Sequence, residues 1–280
     1  YILKDIFMIL CTRYQNNVMA SLQYSIYEKS LRELFYCPYI KLSNLSFGHK
    51  SSLLGNCLAA SVWGFVHKVT IIISSSIIAL CILGFLFYKF PVPALCTAIF
   101  LSTFVYLEQL FFKKRAKEYG SQLIYLTRDL TSLFEYTFKG LKEIKVSKNR
   151  DFFIQNIADN FYKANNYSKL LASNGAYPVY VTEIGIIIAF GILTGLIFFF
   201  ENGKPEYMVT SLAMVAAVVL RLVPILNKIQ GSMFSINQSR SSIHWFLETA
   251  AKVKEWTKAE PDHKAISFNN SIRLQNINFE

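Results

Sequence analysis

The chain has 280 residues, of which 53% are hydrophobic and 17% are charged, and its formal net charge is +11. Soluble domains carry about a quarter charged residues, so this composition favours a membrane protein. The basic residues alternate with apolar segments instead of forming one basic region, which argues against nucleic acid as a partner. The five cysteines form no Cys-x-x-Cys pair and the four histidines are scattered, so neither a disulfide framework nor a metal site is predicted.

Apolar segments long enough to cross a bilayer recur along the chain. A helix rises about 1.5 Å per residue, so about 20 apolar residues cross the hydrocarbon layer. One partial span and four complete spans are predicted, at 1–12, 69–88, 91–112, 178–200 and 207–228. Only Lys89 and Phe90 separate 69–88 from 91–112, and residues 201–206 separate the last two spans, so each pair forms a tight hairpin. Gly191 and Gly195 form a small-residue face that favours helix packing.

Lysine and arginine residues predict the orientation of these spans. Seven lie in residues 1–68, twelve in 113–177 and six in 229–280, whereas Lys89 and Lys204 are alone in the two short turns. Positively charged segments stay on the cytoplasmic side of a membrane. The sequence therefore predicts a multi-pass protein whose large polar segments are cytoplasmic and whose short turns are external.

The polar segment 113–177 has no proline and little glycine, and its apolar residues recur at helical spacing. As helices, residues 113–133 and 144–177 would extend about 30 and 50 Å. Two segments interrupt such helices and form the cytoplasmic ends of helix pairs. We call these two segments the prongs. The first prong, 36–48, begins at Cys37-Pro38-Tyr39, and the second, 134–145, contains Gly140. After the first break the helical pattern is predicted to resume near Ser51.

The last span, 207–228, carries two cations. A charge deep in the hydrocarbon costs about 2.5 to 3.5 kcal/mol unless it faces water, a counter-ion or other protein. Arg221 and Lys228 lie two helical turns apart on one face, with Pro224 between them. In one interpretation they form an anion-binding wall for a phosphate or pyrophosphate group in a central cavity, which Lys4 would also line. In the other, Lys228 marks the membrane interface and Arg221 pairs with a carboxylate such as Glu183.

Two carboxylates stand at the edges of the predicted spans. Glu108 precedes Lys113 by five residues, so we expect it at the membrane interface. Glu183 is predicted to line the same cavity as a counter-ion for the cations of the last span, and a proton relay is the alternative.

The order of spans and prongs resembles the transmembrane domain of type 1 ABC exporters with the first span absent. Residues 138–145 (FKGLKEIK) are similar to the second coupling helix of that family, and 37–55 to the first. Residues 272–279 (IRLQNINF) resemble the opening strand of an ABC nucleotide-binding domain.

Within that family the last two spans are most similar to flippases of lipid-linked oligosaccharides in bacterial N-glycosylation. The matching residues are Arg221, Pro224 and Lys228 in the last span, and Tyr180 and Glu183 in a Y-x-x-E context in the span before it.

The resemblance implies an all-α polytopic transmembrane domain at 1–256, followed at 257–280 by a linker and the first strand of a nucleotide-binding domain. The sequence has no G-x-x-x-x-G-K-[ST] loop, so no catalytic residue is assigned to it, and ATP and magnesium would bind the nucleotide-binding domain elsewhere. The residues implied to contact that domain are Pro38, Tyr39, Phe138, Gly140, Leu141 and Ile144.

The function implied is the membrane half of an ATP-driven exporter or flippase in a bacterial inner membrane. Its partners would be a second copy of the chain or a related half-transporter, the nucleotide-binding domain and membrane lipids. It would move a lipid-linked or other amphipathic anion by alternating access. One alternative is a membrane enzyme acting on lipid-linked sugars with Arg221 as the diphosphate clamp, although no paired aspartates are evident. The other is a nonfunctional truncated fragment.

Overall fold

A computed structural model describes residues 2–200 and 205–258, and about 95% of these residues are helical, with no strand among them. The predicted all-α class is confirmed for this part of the chain. The predicted strand at 272–279 lies outside the described residues. The helices are α1 Ile2–Phe35, α2 Tyr39–Ser43, α3 Phe47–Leu54, α4 Asn56–Ser61, α5 His67–Lys89, α6 Pro91–Lys139, α7 Leu141–Val146, α8 Arg150–Phe200 and α9 Pro205–Lys258, with a π-helical turn at Val62–Val66 joining α4 to α5.

Three helical segments among the described residues are long and apolar enough to cross a membrane: Phe47–Lys89, Ala94–Lys139 and Arg150–Phe199. They include most or all of the predicted spans 69–88, 91–112 and 178–200. The chain is therefore a helical protein with the character of a membrane protein. The predicted spans 1–12 and 207–228 fall in α1 and α9, and part of each lies outside the described side chains.

The helices end where the sequence supplies a residue that interrupts them. Pro38 precedes α2, Pro91 occupies the first turn of α6, and Gly140 separates α6 from α7. The prediction that helix resumes near Ser51 was wrong by several residues. Helix α3 begins at Phe47 because the hydroxyl of Ser46 accepts a hydrogen bond from the backbone N–H of His49, at 3.4 Å, and caps the helix.

Helices α6, α8 and α9 are unusually long, with 49, 51 and 54 residues. At about 1.5 Å per residue each measures roughly 75 to 80 Å, against about 30 Å for the hydrocarbon layer. Pro178 and Pro224 lie inside α8 and α9 without ending them. The predicted helical character of residues 113–177 is therefore observed, and each long helix continues far beyond its apolar stretch.

Three apolar clusters pack the helices against one another. One, which includes Leu86, Leu193 and Leu222, joins the apolar stretches of α5, α8 and α9. A second, which includes Leu34, Leu58 and Phe246, joins α1 and α4 to the far half of α9. The third lies between them and consists of Ala116, Leu171 and Phe234 of α6, α8 and α9. Apolar packing therefore continues along the bundle from the predicted spans to the polar half.

The close contact between α6 and α8 is not at the predicted small-residue face. A Cβ placed on Gly191 or Gly195 would meet nothing within 4 Å. A Cβ on Gly185 would overlap the ring of Phe104, so the aromatic side chain of α6 fits against the bare backbone of α8 there. Gly185 thus allows close packing of α8 against α6, about two helical turns before the predicted face at Gly191 and Gly195.

The first prong is attached to α6 just before the second prong. The backbone N–H of Gly48 donates to the hydroxyl of Ser132 at 3.0 Å, and that hydroxyl lies 3.2 Å from the hydroxyl of Ser46. A Cβ on Gly48 would overlap the backbone carbonyl oxygen of Arg128 and the Ser132 hydroxyl. The contact therefore requires glycine at position 48.

We expect Gly48→Ala to lower the free energy of unfolding by about 1 to 3 kcal/mol, because the carbonyl of Arg128 belongs to a rigid helix and cannot move aside. Thermal unfolding of the purified protein in detergent would measure the loss. The matched control is Gly84→Ala, where the added methyl meets nothing within 4 Å and helix propensity favours alanine. Equal melting temperatures for the two variants would contradict the proposed close contact.

Candidate functional site

Polar side chains from α6, α8 and α9 meet near the predicted cytoplasmic ends of three spans. We call this group the polar junction. Its members are Glu108, Gln109, Thr182, Glu183, Asn227 and Gln230. Polar groups near a bilayer are costly unless they hydrogen-bond one another, so such a group marks a candidate functional site.

The centre of the polar junction is the carboxylate of Glu108, which is only 4% exposed. Its Oε2 accepts a hydrogen bond from the Thr182 hydroxyl at 2.9 Å and another from Nε2 of Gln230 at 2.8 Å. The side-chain oxygen of Gln230 in turn accepts from the amide of Gln109. One carboxylate oxygen of α6 thereby connects to both α8 and α9.

Glu108 was expected at the membrane interface, which stays a prediction, and the structure shows that its side chain is enclosed by protein. Its two donors lie 74 and 122 residues further along the chain, on other helices. The second oxygen, Oε1, is also buried and has no hydrogen-bond partner among the described residues. A buried acceptor without a donor is unfavourable, so this oxygen is a site where a proton or a donor from a ligand would be stabilised.

Glu183 follows Thr182 on α8, the residue whose hydroxyl donates to Glu108. The side chain of Glu183 lies next to α9. Its Oε1 accepts a hydrogen bond from Nδ2 of Asn227 at 3.3 Å. Asn227 directly precedes the predicted cation Lys228. The structure therefore brings Glu183 and the Lys228 region of α9 together, through an asparagine that the sequence analysis did not single out.

The other predicted cavity residues are placed less centrally. Arg221 and Lys228 are exposed on the surface of the single chain. Lys4 lies in α1, and its side chain is outside the described part of the structure. A cavity wall formed by these three cations remains a prediction.

The residues expected to contact a nucleotide-binding domain divide into two groups. Tyr39 and Phe138 are 82% and 68% exposed, Leu141 is also exposed, and Pro38 and Gly140 are partly exposed. Ile144 is only 8% exposed and therefore faces the protein. The contact of all six residues with a nucleotide-binding domain stays a prediction.

The sequence analysis did not single out four members of the polar junction: Gln109, Thr182, Asn227 and Gln230. A signal was present on α9, since Asn227 and Gln230 are three residues apart and share one helical face. Thr182 and Gln109 are each adjacent to a carboxylate that was considered. Attention to pairs of polar residues at the ends of apolar stretches would have found the group.

Among the described residues no group of three or more histidine, cysteine, aspartate or glutamate side chains could hold a metal ion. The chain matches no protein-family model and none of the curated proteins.

We expect Thr182→Val to lower the free energy of unfolding by about 1 to 3 kcal/mol, because it removes one of two donors to a buried carboxylate. The matched control is Thr194→Val on the same helix. The two hydroxyls lie 2.7 and 2.8 Å from the carbonyl oxygen four residues earlier, but only that of Thr182 also lies within hydrogen-bond distance of Glu108, with its one proton shared between the two acceptors. Unfolding in detergent would compare the two variants, and an equal effect would show that the bond to Glu108 contributes nothing.

Proposed function

We propose that the chain is the membrane-spanning half of an ATP-driven exporter or flippase of the ABC type 1 class. The observation that supports this proposal is the continuity of α6, α8 and α9. Each runs as one helix from an apolar stretch into the polar half of the molecule. A rigid helix transmits a displacement at one end to the other, which is what a transporter driven from the cytoplasm requires.

The prong tips support the proposal because they end in short helices with exposed aromatic side chains. Helix α2 has five residues and α7 has six. Tyr39, at the start of α2, and Phe138, just before α7, are exposed. Exposed aromatic residues of this kind suit an interface with another domain. In the proposed complex that domain is the nucleotide-binding domain, which binds ATP and magnesium.

The cations of α9 support an anionic substrate. Arg221 and Lys228 are both exposed in the single chain, as residues lining a cavity shared with a second copy would be. An arginine guanidinium binds phosphate oxygens in two-pronged geometry, and a lysine adds a point charge. We therefore propose a lipid-linked or other amphipathic phosphate compound as the substrate, with Lys4 and Glu183 at the edges of the same cavity.

Alternating access would then follow from nucleotide-driven movement of the prongs. Changing a two-state equilibrium from 1:99 to 99:1 takes about 5.5 kcal/mol of differential binding. ATP-dependent closure of two nucleotide-binding domains would supply this free energy. The polar junction would keep α6, α8 and α9 in register, so that the three helices move as one unit.

Three apolar helices indicate a membrane location. A bacterial inner membrane with cytoplasmic prongs is the proposed setting.

We expect a cysteine at Lys89, in a background without native cysteines, to react with a membrane-impermeant maleimide in intact spheroplasts. We expect a cysteine at Lys145 to react only after lysis, because the second prong would be cytoplasmic. The reverse pattern would contradict the proposed orientation, and labelling of both after lysis provides the control for accessibility.

For the substrate, we expect a lipid diphosphate to stimulate the ATPase activity of the complete transporter in liposomes, and Arg221→Ala to abolish most of that stimulation. Arg221→Lys should retain part of it, since the charge remains but the two-pronged geometry is lost. Basal ATPase activity of each variant serves as the control for assembly. Equal stimulation of the wild type and Arg221→Ala would refute the anion-binding role, and absence of any ATPase activity in the complete protein would refute the transporter class.

A further inference from the structure

A cavity of about 210 Å³ lies between α3, α6 and α9, and the proposed function assigns its lining residues no role. Its walls include Ser51, Asn56, Thr127, Arg128 and Ser242. A water molecule occupies about 30 Å³ of liquid, so the space exceeds what one water or a monatomic ion needs. We call it the Arg128 cavity after its only cation.

The charge of the Arg128 cavity is positive. No aspartate or glutamate is among its lining residues, and none of the ion pairs between described residues includes Arg128. Arg128 is partly buried, and a partly buried cation without a counter-charge attracts anions, so an anion entering this space would be stabilised electrostatically.

The guanidinium of Arg128 is held in place but not fully hydrogen-bonded. Its central carbon lies 4.8 Å from the ring centre of Trp245, which fixes the position of the planar group by a cation–π contact. Its Nε is buried and has no hydrogen-bond partner among the described residues. Stacking satisfies the face of a guanidinium, whereas its N–H groups point outward along the edge and need acceptors.

The hydroxyl of Ser242 supplies a second donor. Ser242 is only 5% exposed, and its side chain makes no hydrogen bond within the described part of the chain. The hydroxyl of Thr127 differs, because it already donates to the carbonyl of Leu123 at 2.7 Å. Ser51 and Asn56 are exposed and stand at the mouth of the cavity with further donors. The cavity thus offers a cation and several free donors to one occupant.

We propose that the Arg128 cavity binds a small phosphate-bearing anion, either inorganic phosphate or a phosphomonoester. A phosphate group presents several acceptor oxygens in a tetrahedral arrangement, which suits donors that come from different helices. It also suits the two-pronged donor edge of arginine. The occupant would connect α3, next to the first prong, with α6 and α9.

The position along α6 favours a phosphate from solution over a lipid headgroup. Arg128 follows Phe112, the end of the predicted span, by 16 residues. That separation corresponds to about 24 Å along the helix. This site does not depend on the proposed transport function, since binding requires neither a nucleotide-binding domain nor a second copy.

The test is binding of radioactive inorganic phosphate by the full chain in nanodiscs of phosphatidylcholine, measured by equilibrium dialysis with chloride at matched ionic strength. We expect saturable binding, a loss of at least tenfold in affinity for Arg128→Gln and a loss of several-fold for Ser242→Ala. Ser241→Ala is the matched control, since the neighbouring serine does not line the cavity, and it should bind like the wild type.

A second set of nanodiscs containing phosphatidic acid distinguishes the source of the phosphate. If thermal unfolding shows stabilisation only by phosphatidic acid, and only when Arg128 is present, the site binds phosphate from a lipid headgroup. If Arg128→Gln fails to fold, the phosphate affinity of Ser242→Ala relative to that of Ser241→Ala decides whether the Arg128 cavity is the binding site. The proposal is overturned if neither phosphate source binds, if chloride competes equally at the same concentration, or if the two serine variants behave alike.

Discussion

One carboxylate oxygen, Oε2 of Glu108, restrains how the three longest helices stand relative to one another, because it is hydrogen-bonded to both of the other two. Apolar attraction is non-directional and tolerates small shifts of one helix along another. A buried carboxylate permits much less sliding, because each of its donors, Thr182 on α8 and Gln230 on α9, must lie within hydrogen-bond distance. The clusters above and below, around Leu193 and Phe234, then pack in the register that this contact sets.

Much of the helical architecture follows from local sequence. Long apolar runs bounded by Pro38, Pro91 and Gly140 predict where helices end, because proline lacks a backbone donor and glycine weakens a helix. The start of α3 was missed by several residues, although Ser46 is a residue type that commonly caps helices. Helix lengths are predictable to this extent because backbone hydrogen bonds within a helix are local.

The contacts of the polar junction could not be derived in the same way. Glu108 stands close to Lys113 in sequence, and proximity along the chain suggested an interfacial position. Its contacts depend on the rotation of α8 and α9 about their own axes, which brings Thr182 and Gln230 inward. A change of one residue in the phase of either helix would turn these side chains away. The roles proposed for Arg221 and Lys228 involve a second copy of the chain, and no local pattern specifies them.

Helix α6 carries the apolar stretch, Glu108, the serine that holds the first prong, and the start of the second prong on one uninterrupted axis. Each inserted residue would rotate everything beyond it by about 100°, separating the prong contact at Ser132 from its partners. Insertions of about seven or eleven residues nearly restore the original phase. Chains that share this architecture but reach further from the membrane are therefore restricted to stepwise differences in length, matched between α6 and α8.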